Sequence, residues 1–299
     1  MRAIRYDRFG GPEVLCLTET GAPQPGPGQL RLRIEAAAVN PIDYKIRNGW
    51  MQPYMPTPLP AVPGSEAAGV VDAVGPGVTA WSVGDEVFGW TETGAYAEYA
   101  LASAVVRKPA GLDWAQAAAL PVACETATRV LDLLGVGAGD TLLLHGAAGA
   151  VGSAGVQLAL ARGARVIGTA SPANHAYLSS LGALPVAYGE GLVDRVREVT
   201  ATVDAVFDVA GRGALEDSVE LRGGTKERIV TIADMAAPGL GITFSRGGAH
   251  DAAAVEAVRR AVEAGVRVPV AGTRPLAEAA KALELSEAGH VRGKLVLLP

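Results

Sequence analysis

The chain has 299 residues, 49% of them hydrophobic and 19% charged, and its formal net charge is −5. That length is long for one core and predicts two domains, while an acidic balance without any Lys/Arg cluster argues against nucleic acid as a partner. No run comes near the ~20 apolar residues that cross a bilayer, so no membrane partner is expected.

The opening Met1-Arg-Ala-Ile-Arg-Tyr-Asp-Arg8 carries too much charge for a leader peptide. Cys16 and Cys124 stand too far apart for metal-type spacing and fit a reducing cytoplasm better than a disulfide framework. Pro23, Pro25, Pro27 and Gly28 predict a turn, and Leu30-Arg-Leu-Arg-Ile-Glu-Ala36 then alternates as a half-buried strand does. A proline-rich stretch from Met51 to Pro63 follows. Ala67–Val74, Gly84–Phe88 and Gly94–Ala100 read as further short strands, Gly75-Pro-Gly77 marking a turn after the first. So many short strands with regular punctuation predict a β-rich domain, a distorted barrel.

From Asp113, placed to cap a helix, the texture changes to alternating helix and strand. Thr141-Leu-Leu-Leu-His145 is an apolar run, Gly146 to Gly152 a glycine-rich turn, and Ser153 onward an amphipathic helix. After one helix length, Arg165-Val-Ile-Gly-Thr-Ala-Ser171 completes a βαβ unit. That order aims free backbone N–H groups and the positive end of a helix at one point, where a pyrophosphate can sit. Val203–Val209, Arg228–Ala233 and Gly241–Phe244 are the short apolar runs of a buried parallel sheet, which helices between them make doubly wound. Glu256–Ala264 and Ala277–Ala288 read as helices, and Gly293–Leu298 as a strand returning to the first domain.

The turn reads Ala147-Ala148-Gly149-Ala150-Val151-Gly152, an Ala-x-Gly-x-x-Gly form of the dinucleotide fingerprint. Gly149 lets backbone approach phosphate, Gly152 lets helix and strand pack closely, and Ala148, Ala150 and Val151 stand as further cofactor contacts. NAD-binding strands usually end in Asp or Glu, which holds the ribose 2′-hydroxyl. This one ends Ser171-Pro-Ala-Asn174 with no carboxylate, so NADPH is favoured, with Ser171 and Asn174 as donors to its 2′-phosphate. Val209, Ala210 and Ile232 follow strands at the carboxyl edge of the sheet and border the nicotinamide side.

Several segments together resemble the medium-chain dehydrogenase/reductase superfamily in its zinc-independent quinone oxidoreductase branch. They are Asn40-Pro-Ile-Asp-Tyr-Lys-Ile-Arg-Asn-Gly49, Pro63-Gly-Ser-Glu-Ala-Ala-Gly-Val70, Gly84-Asp-Glu-Val87, Ala97-Glu-Tyr99, His145–Gly152 and Gly289-His-Val-Arg-Gly-Lys-Leu-Val296. The resemblance runs end to end. It implies an α/β protein with a GroES-like β-rich catalytic domain over 1–117, joined by 266–299, and a Rossmann doubly wound parallel-sheet domain over 118–265. It implies a nicotinamide cofactor between the two domains, Thr126 facing the nicotinamide end, Tyr188 beside the adenosine phosphate, and Lys294 within reach of the cofactor. Zinc-bearing members use Cys and His at positions that fall on Asn40 and Ser65 here, so no metal is expected. Without a Lewis acid, reduction of an electron-poor π-system is the expected chemistry rather than alcohol oxidation.

The expected reaction is hydride transfer to a quinone or an α,β-unsaturated carbonyl. Asn40 is the first candidate to position the cofactor or the carbonyl, and Tyr44 and Lys45 follow as donors of a proton or hydrogen bond. Related enoyl reductases carry a tyrosine just after the glycine equivalent to Gly49. Trp50 and Met51 stand there instead, which leaves solvent as another proton source. The alternatives are a stereospecific enoyl reductase acting on a polyketide-like intermediate, and a cofactor-binding relative with little catalysis. The family commonly forms homodimers through the edge strands of its Rossmann sheets, and Ile242-Thr-Phe244 is that edge here.

Overall fold

Leucine and isoleucine at alternate positions turn one side of residues 30–34 inward, and the segment pleats accordingly: Leu30, Leu32 and Ile34 are buried while Arg33 is exposed. In the computed structural model, which describes residues 1–299, this strand belongs to a unit made of Met1–Val122, His250–Arg259 and Val268–Pro299. The unit begins with β1 (Arg2–Arg5), β2 (Cys16–Glu19), β3 (Leu30–Val39) and α1 (Pro41–Arg47). It continues through β4 (Glu66–Val74), β5 (Glu86–Trp90), β6 (Tyr99–Ala102), β7 (Val105–Arg107), α2 (Trp114–Ala118) and the start of α3 (Pro121–Leu133).

The second unit, Ala123–Ala249 with Arg260–Arg267, carries the rest of α3, then β8 (Thr141–His145), α4 (Ala150–Ala161) and β9 (Arg165–Ala170). After them come α5 (His175–Ser180), β10 (Leu184–Ala187), α6 (Leu192–Val199), β11 (Ala205–Asp208) and α7 (Leu215–Leu221). β12 (Ile229–Thr231) and β13 (Thr243–Phe244) complete its sheet. Helix α8 (Ala252–Glu263) is divided between the units, and β14 (Val270–Pro275), α9 (Ala279–Ala288) and β15 (Lys294–Leu298) belong to the first.

The second unit's sheet runs β10-β9-β8-β11-β12-β13 with every neighbour parallel. Its central strand β8 is buried at all five positions, as a strand covered on both faces must be. Two apolar clusters lie against it: Leu142, Leu144, Val156 and Phe207 in one, Leu143, Ile167, Val206 and Ile229 in the other. Leucines 142 and 144 thus face opposite to Leu143, the alternation a strand requires.

The first unit holds a seven-stranded sheet in the order β14-β15-β3-β4-β5-β7, with β6 also paired to β3. Here β15 lies antiparallel to β3, with Leu295 opposite Val39. Arg47, fully buried, ties α1 to α9 by donating to Glu287 at 3.0 Å.

Two of the expected elements depart from the sequence reading for reasons visible in the backbone. The strand expected over Gly94–Ala100 begins only at Tyr99, because Gly94 turns at φ +89 with its backbone against Val62. A Cβ there would lie 2.3 Å from the Val62 carbonyl oxygen. The helix begun at Asp113, whose carboxylate accepts the Gln116 N–H at 2.7 Å, stops at Ala118. Pro121 disfavours helical backbone at Leu120 and restarts the helix as its first residue.

Candidate functional site

In the first unit the site is built where β3 runs into α1. Asn40 precedes Pro41 in extended backbone, and its N–H donates to Asp43 Oδ2 at 2.8 Å, which fixes the first turn of α1. Its side chain enters a closed triangle. Asn40 Nδ2 donates to Glu66 Oε1 at 2.8 Å, and Lys294 Nζ donates to both Asn40 Oδ1 at 2.6 Å and Glu66 Oε1 at 2.8 Å. All three residues are buried. An ammonium and a carboxylate so far from water persist only when paired and fully hydrogen-bonded. Glu66 completes its set by accepting the Val122 N–H at 2.8 Å, at the amino end of α3. The triangle orients the Asn40 amide and leaves one of its Nδ2 hydrogens uncommitted.

A second buried acid lies beside it. Asp43 accepts from Asn40 N–H and from the Tyr96 hydroxyl at 2.8 Å. Burial raises its pKa from 3.8 to about 6, against the lowering effect of those two hydrogen bonds. Burial first, and the Asp43 charge second, hold the Tyr96 phenol well above its ordinary value, so it remains a donor.

The structure therefore brings two of the expected residues, Asn40 and Lys294, into direct contact, and adds Glu66, Asp43 and Tyr96. Lys294, expected at the cofactor, gives its ammonium to Asn40 and Glu66. Tyr44 and Lys45 lie on α1, both half-buried. The Tyr44 ring meets Trp50 edge-on at 6.2 Å. Burial lowers the pKa of Lys45, and no acid offsets it.

In the second unit the expected contacts collect along the carboxyl edge of the sheet. Gly146 leaves β8 at φ +75, and Gly149 precedes α4 with no side chain capping the helix. The amino end of α4 is thus open to an anion. A Cβ on Gly152 would lie 2.3 Å from the Gly146 carbonyl oxygen, so only glycine allows this approach of helix to turn. At Gly149 the nearest atom would be that same oxygen at 3.4 Å, so the space above Gly149 is open. These are the features a pyrophosphate cradle made by Ala148, Gly149, Ala150 and Val151 needs.

At the end of β9, Asn174 Nδ2 donates to Ser171 Oγ at 3.1 Å, and His175 Nε2 lies 3.3 Å from the Ala170 carbonyl oxygen. Ala187, the last residue of β10, pairs with Ala170, so Tyr188 leaves the sheet on the same edge as Ser171 and is exposed. Val209, Ala210 and Ile232 follow β11 and β12 and are held by a carboxylate the sequence reading did not single out. Asp208, fully buried, accepts from Ala210 N–H at 2.9 Å, Gly211 N–H at 3.1 Å and Thr231 Oγ1 at 2.7 Å. Thr231 Oγ1 in turn accepts from the N–H groups of Ala233 and Asp234 at 3.1 and 3.0 Å. One carboxylate and one hydroxyl thereby fasten both turns. Thr126, on α3, is buried and donates to Glu125 Oε2 at 3.2 Å. A carboxylate ending an otherwise apolar strand, as Asp208 ends β11, was the available signal for that polar hub.

Two family models match the chain: the alcohol dehydrogenase GroES-like domain over residues 26–110 and the zinc-binding dehydrogenase over residues 150–238. The chain is 38% identical over 231 residues to a human quinone oxidoreductase, covering 70% of this chain and 69% of that protein. It is 32% identical to a 2-methylene-furan-3-one reductase of Solanum lycopersicum, covering 100% of this chain and 79% of that protein. A mycobacterial structure complexed with NADPH superposes with a TM-score of 0.87 at 34% identity, covering 100% of both chains.

The zinc that the second model's name implies does not fit the donor set here. Asn40 and Glu66 share the Lys294 ammonium, a cation hydrogen-bonded to both, and no three His, Cys, Asp or Glu side chains converge anywhere in the chain. With matching domains in order and full-length structural likeness, the chain belongs to the medium-chain dehydrogenase/reductase superfamily, in its quinone oxidoreductase branch.

Proposed function

We propose that this protein reduces quinones or α,β-unsaturated carbonyls with NADPH and without zinc. The observation that carries the reading is the Lys294 ammonium bonded to Asn40 and Glu66, where zinc-bearing relatives place a metal ligand at position 40. The residues at the sheet edge fit the cofactor: an uncapped helix start above an open glycine, and a second strand ending without a carboxylate. When bound, NADPH supplies the hydride.

The remaining work falls to side chains. Ala148 to Val151 hold the pyrophosphate, Ser171, Asn174 and Tyr188 the adenosine end, and Thr126, Val209, Ala210 and Ile232 the nicotinamide end. As hydride reaches the β-carbon, negative charge develops on the carbonyl oxygen, and a preoriented donor lowers that barrier. Asn40 provides it with its uncommitted amide hydrogen, and Lys294 serves by holding that amide in place. The proton that completes the reduction comes from Lys45 or Tyr44, and burial makes Lys45 a stronger acid than an exposed lysine by lowering its pKa. The likeness to the tomato reductase over the whole chain supports the enone arm of the substrate class.

The test is NADPH oxidation by the purified protein against simple quinones, 2-alkenals and cyclic enones, with NADH in parallel and with chelator added. Turnover of at least one class with NADPH, undiminished by chelator, is expected; no turnover by any, or a preference for NADH, sinks the reading. We further propose a cytoplasmic homodimer joined through β13, an edge strand of its sheet, with dimer mass in sedimentation as the check.

A further inference from the structure

The end of β9 poses an electrostatic problem. A 2′-phosphate carries close to two negative charges, yet Val166 to Asp194, which includes the strand end, contains no lysine or arginine. The first guanidinium after that gap is Arg195, on α6, and it folds back over the end of β10. Its Nε donates to the Ala187 carbonyl at 3.0 Å, Nη1 to Glu190 O at 2.8 Å, and Nη2 to Gly189 O at 3.0 Å and Tyr188 O at 3.4 Å. Four carbonyls in a row are gathered on one guanidinium, and one Nη1 hydrogen remains. The turn can close this tightly because Gly189 and Gly191 sit at φ +91 and +75.

Arg195 forms no ion pair, so its charge is not cancelled by a carboxylate. Ala187, which it grips, is the ladder partner of Ala170, the residue before Ser171. Paired strands lie about 4.8 Å apart, so the backbone that Arg195 grips is one strand spacing from the strand end where the ribose hydroxyls are read.

We propose that Arg195 is the cation that selects NADPH over NADH, lending its charge to the 2′-phosphate while its clasp on residues 187–190 presents Tyr188. The inference rests on the NADPH reading above and deepens it. A hydrogen bond to a charged group of this kind corresponds to about 10- to 100-fold in affinity.

The test is equilibrium binding of NADPH, NADH, adenosine 2′,5′-bisphosphate and 5′-AMP to the full chain and to its Arg195→Gln and Arg195→Lys variants. Arg195→Gln is expected to weaken NADPH and the bisphosphate by about 10- to 100-fold beyond any loss for NADH and 5′-AMP, whose retained binding also reports an intact fold. Arg195→Lys, with a charge but no fork, is expected to fall between. Equal losses for NADPH and NADH, or no loss in either variant, would overturn the assignment. A parent chain that fails to prefer the bisphosphate over 5′-AMP would remove the NADPH reading itself. A parent preference that survives both variants would remove Arg195 alone.

Discussion

Asp43 and the adjoining Asn40–Glu66–Lys294 triangle each place a demand on the fold. Folding raises the Asp43 pKa from 3.8 to about 6, so between those values the folded chain keeps a proton that the unfolded chain has released. Its contribution to stability therefore falls as pH rises through that window and is level above it, a change of about 3 kcal/mol. Asp43→Asn removes the titration. Urea unfolding from pH 4 to 7.5 should show the variant gaining on the parent by about that amount, and parallel stability curves would contradict it. For the triangle, Lys294→Met strands a buried carboxylate and should cost about 3–5 kcal/mol, whereas Glu66→Gln with Lys294→Met should recover a good part of the loss. Additive losses in that double-mutant cycle would show that the pair is not coupled.

At the scale of the element, the glycine turn and α4 separate packing from binding. Gly152→Ala sets a Cβ 2.3 Å from a carbonyl oxygen and 2.7 Å from Ala147 Cα, so α4 must move off the turn, at about 1–3 kcal/mol of stability and with loss of cofactor affinity. Gly149→Ala meets nothing nearer than 3.4 Å and should leave the melting temperature unchanged while weakening NADPH, because the added methyl occupies phosphate space. A Gly149→Ala chain that melts early but binds normally would reverse both roles. The sequence displayed this turn plainly, since glycine spacing is a local property of the chain. It displayed β8, β9, β11 and β15 as well, because runs buried on both faces have little but apolar residues in them. It concealed the short β10 behind Pro185 and the edge strand β14 behind glycine and arginine. The partnership of Lys294 with Asn40 was equally hidden, since no local pattern reports a contact over 254 residues. Position in the family's terminal signature pointed Lys294 toward the cofactor, and burial between Asn40 and Glu66 is what the packing adds.

In the molecule as a whole, the first unit is discontinuous in sequence and the second is nearly continuous. Strand β15 stands between β14 and β3, so a chain stopped at Gly293 loses an interior strand together with the lysine of the triangle. That truncation should leave the first unit protease-sensitive while hydrogen exchange in β8, β9 and β11 stays slow; uniform exposure of both units would show that they do not fold separately. The same arrangement sets a timetable for biosynthesis. Asn40 and Glu66 leave the ribosome early, and at roughly 5–20 residues per second they wait about 11–50 s for Lys294. Through that interval the nascent chain holds a buried-type carboxylate without its counter-ion and an open β3 edge, the kind of exposure that chaperones exist to cover.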